Sequence, residues 1–404
     1  MTNKTAIPPT LVIALCAVVV IAEGYDLIVF GALLPALLKE PSWELTRATA
    51  GVIGSMVYAG MFLGALFGGR LADRFGRRRF VLASVAWFAV WTGACGSIAE
   101  PWQLGACRLL AGIGMGAVVP AAVALAKEFS APGRTGLTVT ILMAGIPLGG
   151  TAASLLGLVL LAEHGWRLMF WIGAAISALI FLVAATVLPE STAYLEQRDS
   201  RRSWIGELFG PRMRLTTILF AAAAFTNLLT WYGINTWLTT VMRELNYPLS
   251  SALQFSLTLN ASAVIGSFFM AAAGDRWGTR KVALAAALLA ASGIAGCVIG
   301  TSNPGLLLAF IALIGLGAHS ALNLINAAVA DAYPTTLRGT ALGWSNGVGR
   351  LGAVIAPTLG GWMLTGSGPR SVFVLFLIVT LISAGVLTLL VHAGREVESA
   401  AVNQ

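Results

Sequence analysis

The sequence predicts an all-α polytopic membrane protein, with twelve spanning helices in two pseudo-symmetric six-helix halves. Three observations carry that prediction. Composition is 57% hydrophobic and 10% charged, whereas soluble domains carry about 25% charged residues. Twelve apolar runs of spanning length follow one another along the 404 residues. Two short signatures also recur half a chain apart: Asp73 with Asp275, and Gly112-Ile-Gly114 with Gly315-Leu-Gly317.

The first run, 10–38, is too long for a signal peptide's apolar region and has no small-residue cleavage site after it, so it is expected to stay in the mature protein. It contains Glu23-Gly24-Tyr25-Asp26 near its middle. Carboxylates three residues apart share one helical face. Each costs at least about 2.5 kcal/mol at bilayer depth. A pair bridged to another helix is the simpler account. A proton-binding or cation-handling site is the sharper one, favoured because no other run carries an acid.

The runs that follow are 49–69, 79–99, 103–127, 135–162 and 167–189. They complete a first half, 1–189. A polar linker, 190–213, carries Arg198, Arg201, Arg202 and Arg212. The second half, 214–404, has runs at 214–241, 250–274, 280–300, 305–330, 338–365 and 370–392. After run two lies Gly69-Arg-Leu-Ala-Asp73-Arg74-Phe-Gly76-Arg77-Arg78-Arg79, and after run eight its degenerate copy, Ala271-Ala-Ala-Gly274-Asp275-Arg276-Trp277-Gly278-Thr279-Arg280-Lys281. Repeats of this kind are expected to hold a substrate site near the bilayer midplane where the halves meet.

The net charge of +8 does not imply nucleic acid, because the basic residues cluster in short loops. With the N-terminus in the cytoplasm, 18 Lys and Arg fall inside and five outside. That is the positive-inside pattern, and it puts both termini in the cytoplasm. The bilayer is the expected environment. Cys16, Cys95, Cys107 and Cys297 lack metal-ligand spacing and read as packing residues, with a Cys95–Cys107 bridge the less favoured alternative.

The loop at 69–79, its copy, and Arg108-Leu-Leu-Ala-Gly112-Ile-Gly114 in run four together resemble the signatures of the major facilitator superfamily over essentially the whole chain. Glu23-Gly24-Tyr25-Asp26 further resembles the Asp-Gly-x-Asp motif of the aromatic acid:H⁺ symporters, with Glu where that motif most often has Asp. His319 and Arg350 also stand where that family places functional residues. The resemblance implies a monomeric transporter of the bacterial inner membrane. It would take up a small aromatic carboxylate (a hydroxybenzoate, protocatechuate or benzoate) by alternating access. The proton would be the coupling ion, and no other cofactor is expected.

Glu23, Asp26 and Arg108 are the expected proton-coupling group. A guanidinium favours the charged carboxylate and burial the neutral one, a competition that lets a proton load and leave. A static buried ion pair is the alternative. Arg350 lies about eleven residues into run eleven with no acid of its own half at that depth. Its planar guanidinium suits the substrate's carboxylate, with pairing to Glu23 or Asp26 as the structural alternative.

His319, Asn323 and Asn326 form a polar stripe in run ten, and Tyr25, Tyr232 and Trp344 are aromatics at suitable depth. In run seven, Asn227 and Asn235 are the other polar residues expected to face a cavity. Asp73, Arg74, Gly76, Arg77, Asp275 and Arg276 are expected to gate the cycle, Asp73 by meeting a helix N-terminus in one conformation only.

No nucleotide-binding loop, metal-ligand cluster or supported Ser/His/Asp arrangement is present in the sequence, so an enzyme is not expected. A drug/H⁺ antiporter of the same fold is the alternative reading, and a non-transporting receptor a third. The midplane arginine favours an anionic substrate over the antiporter's cation, and only the lack of an extra signalling domain speaks against the receptor.

Overall fold

The computed structural model describes residues 7–191, 205–211 and 213–402, with Gly69, Arg70, Asp73 and 394–402 described for their backbone only. Most of the predicted linker, with its Arg198, Arg201, Arg202 and Arg212, lies outside the described residues. The described residues form helices joined by short turns, with no strand among them. The helices are α1 Pro9–Leu37, α2 Arg47–Phe75, α3 Arg77–Cys95 and α4 Pro101–Glu128. The next helix, Thr135–Val187, breaks at Gly165, where φ is 73°, and so supplies α5 (135–164) and α6 (166–187). A short 3₁₀ helix, Ile205–Phe209, precedes α7 Arg214–Glu244, α8 Leu249–Trp277, α9 Thr279–Ile299, α10 Pro304–Ala332, α11 Thr335–Ser367 and α12 Pro369–Val402.

The helices start and stop for local reasons. A capping box between Glu100 and Gln103, with Pro101 in the first turn, opens α4. The Asn303 side chain accepts from the amides of Gly305 and Leu306 to open α10. The break at Gly165 needs a left-handed backbone that glycine adopts without penalty. Large apolar side chains such as Val90, Trp102, Leu179 and Phe269 point outward and are more than half exposed. That is the surface a helix presents to lipid, since helices satisfy their own backbone there.

Packing divides the chain into two compact units. The first is Met1–Leu37 with Met56–Ser200, and the second is Leu38–Ser55 with Arg201–Gln404. Residues 38–55, which lie within the predicted first half, group with the second unit. There Arg47 pairs with Glu244 at 2.6 Å, and the hydroxyls of Ser55 and Thr358 meet at 2.8 Å.

In the first unit α1 is packed so closely on α5 that a Cβ on Gly24 would overlap the backbone of Ile146. Every residue from Ala22 to Pro35 is buried. The four cysteines are buried and free, with no disulfide between Cys95 and Cys107. In the second unit a core of Leu208, Phe220, Ala286, Ala328 and Tyr333 joins the 3₁₀ helix to α7, α9 and α10.

The repeat seen in sequence is a repeat in geometry. Gly76 before α3 has φ 93° and ψ 142°, and Gly278 before α9 has φ 92° and ψ 132°. A Cβ on Gly112 would overlap the carbonyl oxygen of Val57, and one on Gly315 that of Leu259.

Candidate functional site

The first unit gathers Asp26 and Arg108 on one level with Phe30 and Thr92. Glu23, Asp26 and Arg108 are only 1–2% exposed. Arg108 reaches from α4, where its Nη1 donates to the backbone carbonyl of Asp26 at 3.3 Å. Its guanidinium carbon lies 4.8 Å from the centre of the Phe30 ring, a cation–π contact. The guanidinium is thereby held near the Asp26 carboxylate without being spent on it. Thr92 of α3 stands beside that carboxylate, yet neither carboxylate oxygen takes a hydrogen bond of normal geometry. Tyr25 faces the other way: its hydroxyl donates to the Met169 carbonyl at 2.8 Å and its ring fills the space over Gly173. Tyr25 is a packing residue of the α1–α6 contact.

The second unit gathers polar groups of a different kind. The rings of Trp231 on α7 and His319 on α10 are 5.0 Å apart, and Asn227, one turn before Trp231, donates to the Ala318 carbonyl at 3.1 Å. Tyr232 is buried on α7, and Asn323 lies one turn beyond His319. Arg350 is half-buried at the middle of α11. Its neighbours Gly349 and Gly352 let α11 lie directly on the stretch of α7 that holds Ala224, Phe225 and Leu228.

Two residues named from the sequence are engaged elsewhere. Trp344 packs edge-on against Phe209, with ring centres 5.3 Å apart, at the end of the unit that carries the basic loops. Asn235 accepts from Asn260 at 3.0 Å and donates to the Trp231 carbonyl, which commits it to the α7–α8 contact.

In the basic loop of the first unit the Asp73 side chain lies outside the described residues, and Arg74 is exposed over the Phe75 ring. Arg77 pairs with Glu128, which also accepts from Ser191 at 2.7 Å. The Arg78 backbone amide donates to Glu190 at 3.0 Å, while its side chain donates to the carbonyls of Leu188 and Ala185. Gly76 lies against the Glu190 carboxylate. The copy is looser: Asp275 and Arg276 are exposed, and Thr279 donates to Asp331 at 3.1 Å. Sequence reasoning overlooked Glu128, Glu190 and Thr92. The two acids had a signal, since each ends an apolar run on the basic side.

A match to the Major Facilitator Superfamily covers residues 16–266 and 254–403. The chain belongs to the major facilitator superfamily. It is therefore a multi-pass membrane transporter and not an enzyme. Among superfamily relatives, the gentisate transporter of Corynebacterium glutamicum is 41% identical over 383 residues, spanning 92% of this chain and 85% of the relative. The benzoate transport protein of Acinetobacter baylyi is 30% identical, spanning 88% and 83%. The 4-hydroxybenzoate transporter PcaK of the same organism is 27% identical, spanning 93% and 89%. The fold is similar to that of the D-xylose-proton symporter, with TM-score 0.77, 15% identity and coverage of 93% and 96% of the two chains.

Proposed function

We propose that this transporter takes up an aromatic carboxylate together with protons across the bacterial inner membrane. Asp26, with Glu23 one turn before it, carries the proton, and Arg108 drives its release. Arg350 holds the substrate's carboxylate at mid-membrane depth, where its fork can make two parallel hydrogen bonds. The observation that carries the reading is the Asp26 carboxylate: buried, without a hydrogen bond of normal geometry, and beside a guanidinium fixed by other contacts. A buried acid in that setting has reason both to take and to give a proton. The relatives supply the substrate class, and the 41% identical gentisate transporter makes a dihydroxybenzoate the first compound to try. The basic end, with both termini, faces the cytoplasm, and the single chain is the working unit.

The test is uptake of labelled gentisate into proteoliposomes under an inward proton gradient, with benzoate and 4-hydroxybenzoate as competitors. Accumulation that collapses with a protonophore, and is lost in Asp26→Asn while counterflow of label persists, supports the proposal. Undiminished accumulation by Asp26→Asn under the gradient would sink the coupling role. Absence of counterflow for every aromatic acid would sink the substrate class.

A further inference from the structure

We infer that Asn227 and Asn323 form a hydroxyl-reading pair that selects ring-hydroxylated aromatic acids over bare benzoate. This deepens the reading above and rests on it.

The argument starts from how α7 and α10 are locked together. Asn227 Nδ2 donates to the Ala318 carbonyl, and Trp231, one turn further along α7, lies against His319. Helix carbonyls point toward the C-terminal end of their helix. The Asn227 amide therefore rests on the turn of α10 that runs from His319 toward Asn323. Asn227 is 5% exposed and its Oδ1 accepts nothing; Asn323 Nδ2 is buried and donates to nothing. An acceptor on α7 and a donor on α10, both removed from water and both unused, thus each stand one turn from the Trp231–His319 contact on their own helices.

Their chemistry says what fits. Buried amide atoms normally find partners. A phenolic hydroxyl offers one O–H and accepting lone pairs, so it can donate to Asn227 Oδ1 and accept from Asn323 Nδ2. A carboxylate is acceptor-only when ionised, so Asn227 Oδ1 would repel it. That directs the carboxylate to the guanidinium of Arg350 and leaves the amides to the opposite, hydroxylated edge of the ring. Bare benzoate would leave both amide atoms unpaired. A site built to bond a substrate hydroxyl rejects the analogue lacking it far more strongly than an apolar pocket rejects a missing methylene.

The experiment is titration calorimetry on purified full-length protein with gentisate, 3-hydroxybenzoate, 2-hydroxybenzoate and benzoate. The variants are Asn227→Leu and Asn323→Leu. The second leaves the Asn227–Ala318 bond intact, so it remains informative if the first fails to fold. The parent is expected to bind at least one hydroxylated acid about tenfold or more tighter than benzoate, and Asn323→Leu to shrink that ratio to about threefold or less. The ratio should shrink through weaker binding of the hydroxylated acid, with benzoate affinity kept. A merely structural role would weaken both ligands alike, leave the ratio intact and overturn the proposal. A parent that binds the acids without preference overturns it as well. A parent that binds none of the four overturns the transport reading itself and this inference with it, an outcome distinct from the other two.

Discussion

Gly112 on α4 and Gly315 on α10 occupy matching places in the two units, each pressed on a backbone carbonyl of the helix two before it, Val57 in one case and Leu259 in the other. Gly76 and Gly278 match in backbone conformation as well. The frames are copies, but what they bury differs. The first unit buries ionisable groups, Glu23, Asp26 and Arg108; the second buries neutral amides and hydroxyls, including Asn227, Asn235, Asn260 and Thr230, with His319 among them. The difference teaches that the duplicated part is the backbone-to-backbone contact, which tolerates only small residues. Side chains that point away from those contacts were free to diverge. In the proposed mechanism one unit handles the proton and the other reads the substrate.

The largest effect tests the shared frame. Gly112→Val and Gly315→Val should each abolish monodisperse protein in detergent, because a branched side chain there meets backbone that has no rotamer to yield, at about 3 kcal/mol or more. Size-exclusion chromatography of the two variants checks this. A well-behaved Gly315→Val beside a lost Gly112→Val would end the equivalence.

Next comes the division of labour. Arg350→Ala should weaken gentisate roughly 10- to 100-fold, the value of a charge-assisted pair of hydrogen bonds, with Arg350→Lys falling between. An analogue with an amide in place of the carboxylate should bind the parent poorly and lose little more in the alanine variant. Calorimetry with acid and amide on both proteins decides it. If the acid binds parent and Arg350→Ala equally, recognition passes to Arg108 or His319, and an Arg108 result would move it into the first unit.

A smaller effect separates the two basic loops. Glu128 is the shared acceptor of Arg77 and Ser191, with its side chain 14% exposed. Glu128→Ala should cost about 1–3 kcal/mol. Asp331→Ala removes one exposed bond to Thr279 and should stay within about 0.5 kcal/mol. Thermal melts of the purified variants rank them; equal shifts would mean the loops are equally ordered.

The smallest concerns Arg47 and Glu244, whose side chains are 45% and 21% exposed. Arg47→Gln should destabilise by less than about 1 kcal/mol, and less still in high salt. A large, salt-insensitive loss would show that residues 38–55 depend on that pair for their place in the second unit.

Local properties of the chain were legible without coordinates. Hydrophobic length announced the spans, and the same-face spacing of Glu23 and Asp26 announced a buried acidic pair. The 202-residue recurrence of Asp73 at Asp275 announced the duplicated frame. The first two follow from a fixed helical rise and repeat, which depend on neighbours a few residues away, and the third from direct comparison of the chain with itself. Which way a side chain faces was decided only by packing between helices distant in sequence. Tyr25 stands between the two acids yet turns to Met169, and Trp344 turns to Phe209. Asn235 is consumed by Asn260, while Asn227, two turns earlier on the same helix, keeps an acceptor open. A helix offers every buried polar residue the same composition and period. Only the neighbouring helix determines which of them is satisfied, and so which is left to meet a ligand.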